Sequence, residues 1–195
     1  YILTQNIAAI EACFDKIWVK PGDTFSIPGG TPHALGAGGF MVEIQEPSDL
    51  VIRFEFERAG YVLPESARFM GRDVDFALSI FNFAALAPAD LETCVRCRPV
   101  RRRELGRDSW QEELIGPGQT DCFRVARTRL GSPVVKEETS AVIAIVTRGG
   151  ITAEVGGQAH HLALYEKVFL PAGLGPLMLS PAEGIAEILE CFPPG

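Results

Sequence analysis

Hydrophobic positions along the chain follow two periods, and the places where one gives way to the other mark out its organisation. In residues 4–14, Ile7, Ile10, Glu11 and Phe14 fall at helical spacing, with Thr4 or Asn6 placed to cap, so a short helix is expected. Residues 16–19 and 24–27 then read as strands around the turn Pro21-Gly22-Asp23, and Pro28-Gly29-Gly30 closes the second of them. In residues 41–45, Val42 and Ile44 oppose Met41, Glu43 and Gln45. In residues 49–57, Leu50, Ile52, Phe54 and Phe56 oppose Asp49, Arg53, Glu55 and Glu57. A period of two puts alternate residues on opposite faces, which predicts two amphipathic strands.

From 65 to 86 the period lengthens. Phe76, Ile80 and Phe83 follow Asp73, a suitable cap, and Pro88 marks the far end, predicting a helical connector with those three residues as its buried stripe. The basic stretch 96–103 is expected to be a solvated connector. Strand patterns resume at 112–115, 122–130, 141–148, 151–155, 159–164 and 185–192, with turns at Gly149-Gly150 and Gly156-Gly157. Short strands at regular turn spacing predict an all-β sandwich or barrel for the second half. A weak internal repeat aligns residues 25–33 with 168–176, setting Pro28 over Pro171 and Gly30 over Gly173, with Pro176 where the first copy has His33.

The 195 residues are enough for one large domain or two small ones, and 47% hydrophobic against 22% charged residues argues against disorder. A net charge of −7 argues against nucleic acid or an anionic membrane as partner, and a small molecule moves forward. Five cysteines without a framework suit a reducing compartment, so the cytoplasm is expected. Neither a signal peptide nor a membrane-spanning run is visible. Cys94 and Cys97 form a single CxxC without a second pair, and the adjacent His160 and His161 point to opposite faces of a strand, so neither pair reads as a metal site.

The informative segment is 21–53, PGDTFSIPGGTPHALGAGGFMVEIQEPSDLVIR. It resembles class I mannose-6-phosphate isomerases, zinc-dependent enzymes of the cupin superfamily. A proline-glycine turn, a Gly-Thr-Pro-His-Ala element, a Glu-Ile-Gln strand and a Ser-Asp-x-x-x-Arg element carry the resemblance. It implies an all-β fold of tandem cupin (jelly-roll) units joined by a helical connector, with a first unit that the chain need not contain in full. The expected division is 1–58 as the C-terminal part of a catalytic cupin with an N-terminal helix, 59–95 as the connector, and 96–195 as a second, metal-free cupin-like domain.

The resemblance further implies that His33 is a zinc ligand, that Arg53 and Asp49 are catalytic, and that Glu43 binds substrate in the same cup. Parity agrees: Asp49 and Arg53 share a face, as do Glu43 and Gln45, although the same pattern suits the solvent face of an ordinary antiparallel sheet. Zinc takes about four donors, and the family's Gln-x-His element does not occur in this chain, so the remaining ligands are expected on a segment upstream. The function implied is interconversion of mannose 6-phosphate and fructose 6-phosphate through a zinc-stabilised enediol, with the chain by itself inactive. The alternative is a noncatalytic sugar-binding or regulatory cupin with a degenerate metal site. The partner is a sugar phosphate, and the oligomeric state is left open.

Overall fold

A strand needs a neighbour as well as an alternating sequence, and the two parts of this chain differ in how many neighbours they provide. The computed structural model describes residues 1–48 and 50–194; Asp49 lies outside the described residues. The chain divides into two units, Tyr1–Arg96 and Cys97–Gly195.

In the first unit a helix α1 (Ile7–Glu11) starts at Asn6, whose side-chain oxygen accepts the Ala9 N–H at 3.1 Å. Strand β1 (Thr24–Phe25) is short, and β2 (Glu57–Arg58) and β3 (Tyr61–Val62) form a small hairpin. Three helices follow, α2 (Glu65–Arg68), α3 (Val74–Ser79) and α4 (Pro88–Cys94), and then β4 (Arg96–Cys97) at the join. Asp73 caps α3 as expected, accepting the Phe76 N–H at 2.8 Å.

Other expectations for this unit are corrected. Residues 16–19 and 41–45 join no ladder, and of 50–57 only Glu57 does. Alternation nevertheless survives as burial: Val42, Ile44, Ile52 and Phe54 are half-buried and Phe56 is buried, while Glu43, Arg53 and Glu55 are exposed. Pro88 opens α4 rather than closing the connector, as its fixed φ and missing N–H allow at a first helical position. Phe76, Ile80 and Phe83 are exposed, because α3 ends at Ser79 and turns Ala77 and Val74 inward instead. The small core is Phe56, Phe69 and Ala77, flanked by Ile2, Ile52, Phe54 and Val74.

The second unit is built from β5 (Val100–Gly106), β6 (Ser109–Ile115), β7 (Arg124–Leu130), β8 (Val134–Lys136), β9 (Val142–Arg148), β10 (Ile151–Val155), β11 (Gln158–Leu162), β12 (Lys167–Leu170), β13 (Leu177–Pro181) and β14 (Ala186–Phe192). They form two antiparallel sheets, β12-β9-β14-β7-β6-β5 and β11-β10-β13-β8. Within β7 to β14 the order is first-eighth-third-sixth in one sheet and second-seventh-fourth-fifth in the other, which is a jelly roll; β5 and β6 extend the larger sheet. The basic stretch 96–103, expected to be a connector, is therefore divided between β4 and the first half of the edge strand β5. The repeat also has structural content: β1 and β12 each lead into a turn with a positive-φ glycine at the aligned position, Gly30 at +79° and Gly173 at +72°.

Leu130, Val142, Val146, Ile151, Leu179 and Ile188 are nearly inaccessible and fill the space between the sheets, each stabilising the fold by about 1.5–3 kcal/mol. The inward positions of β14 run Ala186, Ile188, Glu190, Phe192, so a carboxylate occupies a hydrophobic register. It is fully partnered. Lys136 reaches from the opposite sheet to within 2.5 Å of Glu190 Oε1 and lies 3.1 Å from Glu138. Glu190 Oε2 accepts hydrogen bonds from Gln111 Nε2, at 2.7 Å, and from the Thr128 hydroxyl.

Candidate functional site

The loop carrying His33 is fixed from below. Thr31 donates its N–H to the Pro28 carbonyl at 3.1 Å, closing the turn, and the Gly30 carbonyl accepts the Asn82 N–H at 2.9 Å. Gly30 has φ +79°, and a Cβ there would lie 2.8 Å from the Ile80 carbonyl oxygen, so the position requires glycine on two grounds. His33 itself is exposed, with Nδ1 2.9 Å from the Thr31 carbonyl oxygen. A carbonyl only accepts, so Nδ1 is the protonated nitrogen, and the neutral ring keeps its lone pair on Nε2. This is how an imidazole is oriented for a metal by a backbone carbonyl.

Arg53 sits in an extended segment whose backbone bonds are met without a sheet. Its own N–H donates to the Arg68 carbonyl at 3.0 Å, and the Phe56 carbonyl accepts the Leu63 N–H at 2.7 Å. Between them the Gln5 side chain acts as a stand-in strand, Nε2 donating to the Phe54 carbonyl at 3.0 Å and Oε1 accepting the Phe56 N–H at 2.7 Å. Ile52 and Phe54 face the core, Phe54 lying 4.8 Å from the Phe81 ring centroid and 5.8 Å from that of Phe69. That packing leaves Arg53 turned to solvent.

Glu43 is exposed and forms no hydrogen bond or ion pair among the described residues. No recorded bond joins His33, Glu43 and Arg53. The paired strands expected to carry Glu43 and Arg53 are not formed among the described residues, so each side chain is held by its own loop or extended segment. These residues hold no group of three or more His, Cys, Asp or Glu side chains arranged for a metal. His33 is one donor where zinc takes about four, so the described residues do not by themselves make a zinc site.

Elsewhere in this unit Asp23 pairs with Arg96 at 2.7 Å and accepts the Lys20 N–H at 3.0 Å. The Arg96 hydrogen bond first, and the Lys20 amide second, hold the Asp23 carboxyl below its ordinary value. In the second unit, burial pushes the Cys191 thiol up, and the neighbouring Glu190 charge acts in the same direction. His161 Nδ1 lies 2.9 Å from the Thr152 hydroxyl across the β10–β11 pair, a cross-strand contact. The partnered network around Lys136 and Glu190 was not expected from the sequence; the signal for it is a glutamate at an inward position of an otherwise apolar alternation.

No family model matches the chain. It is similar to the mannose-6-phosphate isomerase ManA of Bacillus subtilis, 26% identical over 178 residues that cover 89% of this chain and 50% of that protein. A mannose-6-phosphate isomerase of Streptococcus mutans is 48% identical over 59 residues, 29% of this chain and 19% of that protein. The chain thus spans about half the length of the first of these relatives and less of the second. Among solved structures, the Cupin_2 domain of an XRE family transcriptional regulator from Enterobacter cloacae covers 46% of this chain and 99% of its own at 13% identity and TM-score 0.40. The Clostridium difficile EutQ protein covers 44% and 68% at 14% identity and the same score; scores this low carry no weight of their own. No helix among the described residues is long and apolar enough to cross a membrane. The second unit is thus an all-β jelly roll by its own strand order, and the chain is similar in sequence to mannose-6-phosphate isomerases that are longer than it.

Proposed function

We propose that this chain forms part of a cytoplasmic aldose–ketose isomerase that interconverts mannose 6-phosphate and fructose 6-phosphate. The observation that carries the reading is the similarity to a mannose-6-phosphate isomerase over 89% of the chain, together with the His33 and Arg53 elements. The open-chain sugar loses a proton from C2 to a carboxylate, and the same carboxylate returns it to C1 while a proton moves between the O1 and O2 positions, so atoms balance. Asp49 is the carboxylate for this transfer, and Glu43 orients a hydroxyl. Arg53, always charged, stabilises the oxygen that becomes negative on the way to the enediol. His33 offers Nε2 to zinc, with the remaining donors on a segment upstream. When bound, zinc polarises the sugar carbonyl.

The test is an isomerase assay on the complete gene product with and without chelator. Activity that chelator abolishes, and that Arg53→Ala lowers by about 10²–10³-fold with the fold intact, supports the reading. A complete, zinc-supplied protein without activity refutes it. Three exposed side chains with no shared contact favour a second reading, a sugar-binding or regulatory cupin. Saturable mannose 6-phosphate binding by that same inactive protein distinguishes it.

A further inference from the structure

A cleft of about 450 Å³ opens on the second unit, a size suited to a small ligand. One wall is the run into β5, where Arg98, Val100 and Arg102 all border the cleft. The other is the end of β6 and the turn after it, contributing Glu113 and Gln119. Arg102 Nη2 lies 2.7 Å from Glu113 Oε1. The Glu113 carboxylate rests against Gly116, where a Cβ would come within 2.5 Å of Oε1, so that glycine keeps the carboxylate seated. Gln119 Oε1 accepts the Gly116 N–H at 3.0 Å, which fixes the amide and leaves its NH₂ group unbonded among the described residues. Arg98 is exposed and forms no ion pair among the described residues.

The cleft therefore sets two guanidiniums against one carboxylate in a protein of net charge −7, and a local reversal of sign concentrates small anions. The net charge of −7 disfavours a polyanion such as nucleic acid, which would cover far more of the protein than this cleft; a single phosphate touches the cleft alone. The Arg102–Glu113 pair and the Gln119 amide together present donors and acceptors of the kind that bind vicinal hydroxyls. We propose that this cleft binds a small phosphorylated polyol, its phosphate on Arg98 and Arg102 and its hydroxyls on Glu113 and Gln119. This goes beyond the isomerase reading, which assigns no residue of the second unit.

The test is calorimetric titration of the full chain with glucose 6-phosphate, inorganic phosphate and glucose, at low and high salt. Glucose 6-phosphate is expected to bind with a submillimolar Kd, weakening with salt, and glucose not at all. Arg98→Ala, exposed and unpaired, keeps the parent melting temperature and weakens binding by about tenfold or more. His33→Ala and Arg53→Ala, both in the first unit, retain this salt-sensitive binding. Absence of glucose 6-phosphate binding, or equal binding by Arg98→Ala, overturns the assignment. Loss of binding in His33→Ala or Arg53→Ala also overturns it and places the ligand in the first unit, with the isomerase reading untouched. Inorganic phosphate binding as tightly as glucose 6-phosphate refutes the hydroxyl contacts.

Discussion

Replacing Lys136 by Met tests the buried network where its energetics are most lopsided. The lysine side chain is 1% exposed and sits between two carboxylates, Glu190 at 2.5 Å and Glu138 at 3.1 Å. Methionine fills much of the same volume and removes the charge, leaving the buried Glu190 without its cation and Glu138 with only Arg103, 3.8 Å away. Removing one partner of a buried ion pair costs about 3–5 kcal/mol. Glu190→Gln is the milder change: Lys136 keeps Glu138, and the new amide oxygen still accepts from Gln111 and Thr128, so the loss is about 1–3 kcal/mol. With a urea m-value of about 1–3 kcal/mol/M, Lys136→Met should lower the unfolding midpoint by roughly 2 M and Glu190→Gln by about half as much. Trp110 fluorescence reports the transition, since its ring lies on β6 beneath Arg101 at 3.9 Å, whereas Trp18 is already 89% exposed and changes little. A Lys136→Met midpoint within about 0.3 M of the parent, or a larger loss in Glu190→Gln, would refute the reasoning.

Three further outcomes follow from the geometry. Because the folded-state pKa of Asp23 lies below its ordinary 3.8, its pairing with Arg96 contributes stability that is complete above that value and is lost as pH falls through the depressed one; Asp23→Asn should flatten that acid-side loss in melts followed by circular dichroism. Gly30→Ala places a Cβ 2.8 Å from a backbone oxygen at φ +79° and should cost about 1–3 kcal/mol, read as a lower melting temperature with a shifted His33 ring resonance. Cys191, its thiol pushed up by burial, should react with a thiol reagent at pH 7.5 well after the exposed Cys13 and Cys94. Mass spectrometry of partly labelled protein decides it, and early labelling of Cys191 would count against the assignment.

What the sequence made legible was faces rather than partners. In β9, β10 and β14 alternation and glycine turns coincide with real ladders, because each strand is flanked by its neighbours in a closed two-sheet core. In residues 41–45 and 50–56 the alternation correctly names the inward side chains, Val42, Ile44, Ile52, Phe54 and Phe56, but their backbone groups find other company, among them the amide of Gln5. Strand β5 was missed because an edge strand carries polar residues on both faces: Arg101 covers Trp110 while Arg102 pairs with Glu113. The three-residue strand β8 is too short for a period to declare itself. Of the candidate site, the motif letters single out His33, Glu43, Asp49 and Arg53. The tautomer of His33 and the support beneath Arg53 depend on contacts with Thr31, Arg68 and Gln5 that spacing alone does not encode.

The salt-linked cluster on Lys136 has a consequence for where the second unit can meet other molecules. A jelly roll can host a guest in its lumen, but here a sealed ionic plug ties one wall to the other. Any visitor to that interior would have to unseat a charge that has nowhere wet to go. Recognition is thereby displaced to the rim, and evolution can reshape the rim without disturbing the plug.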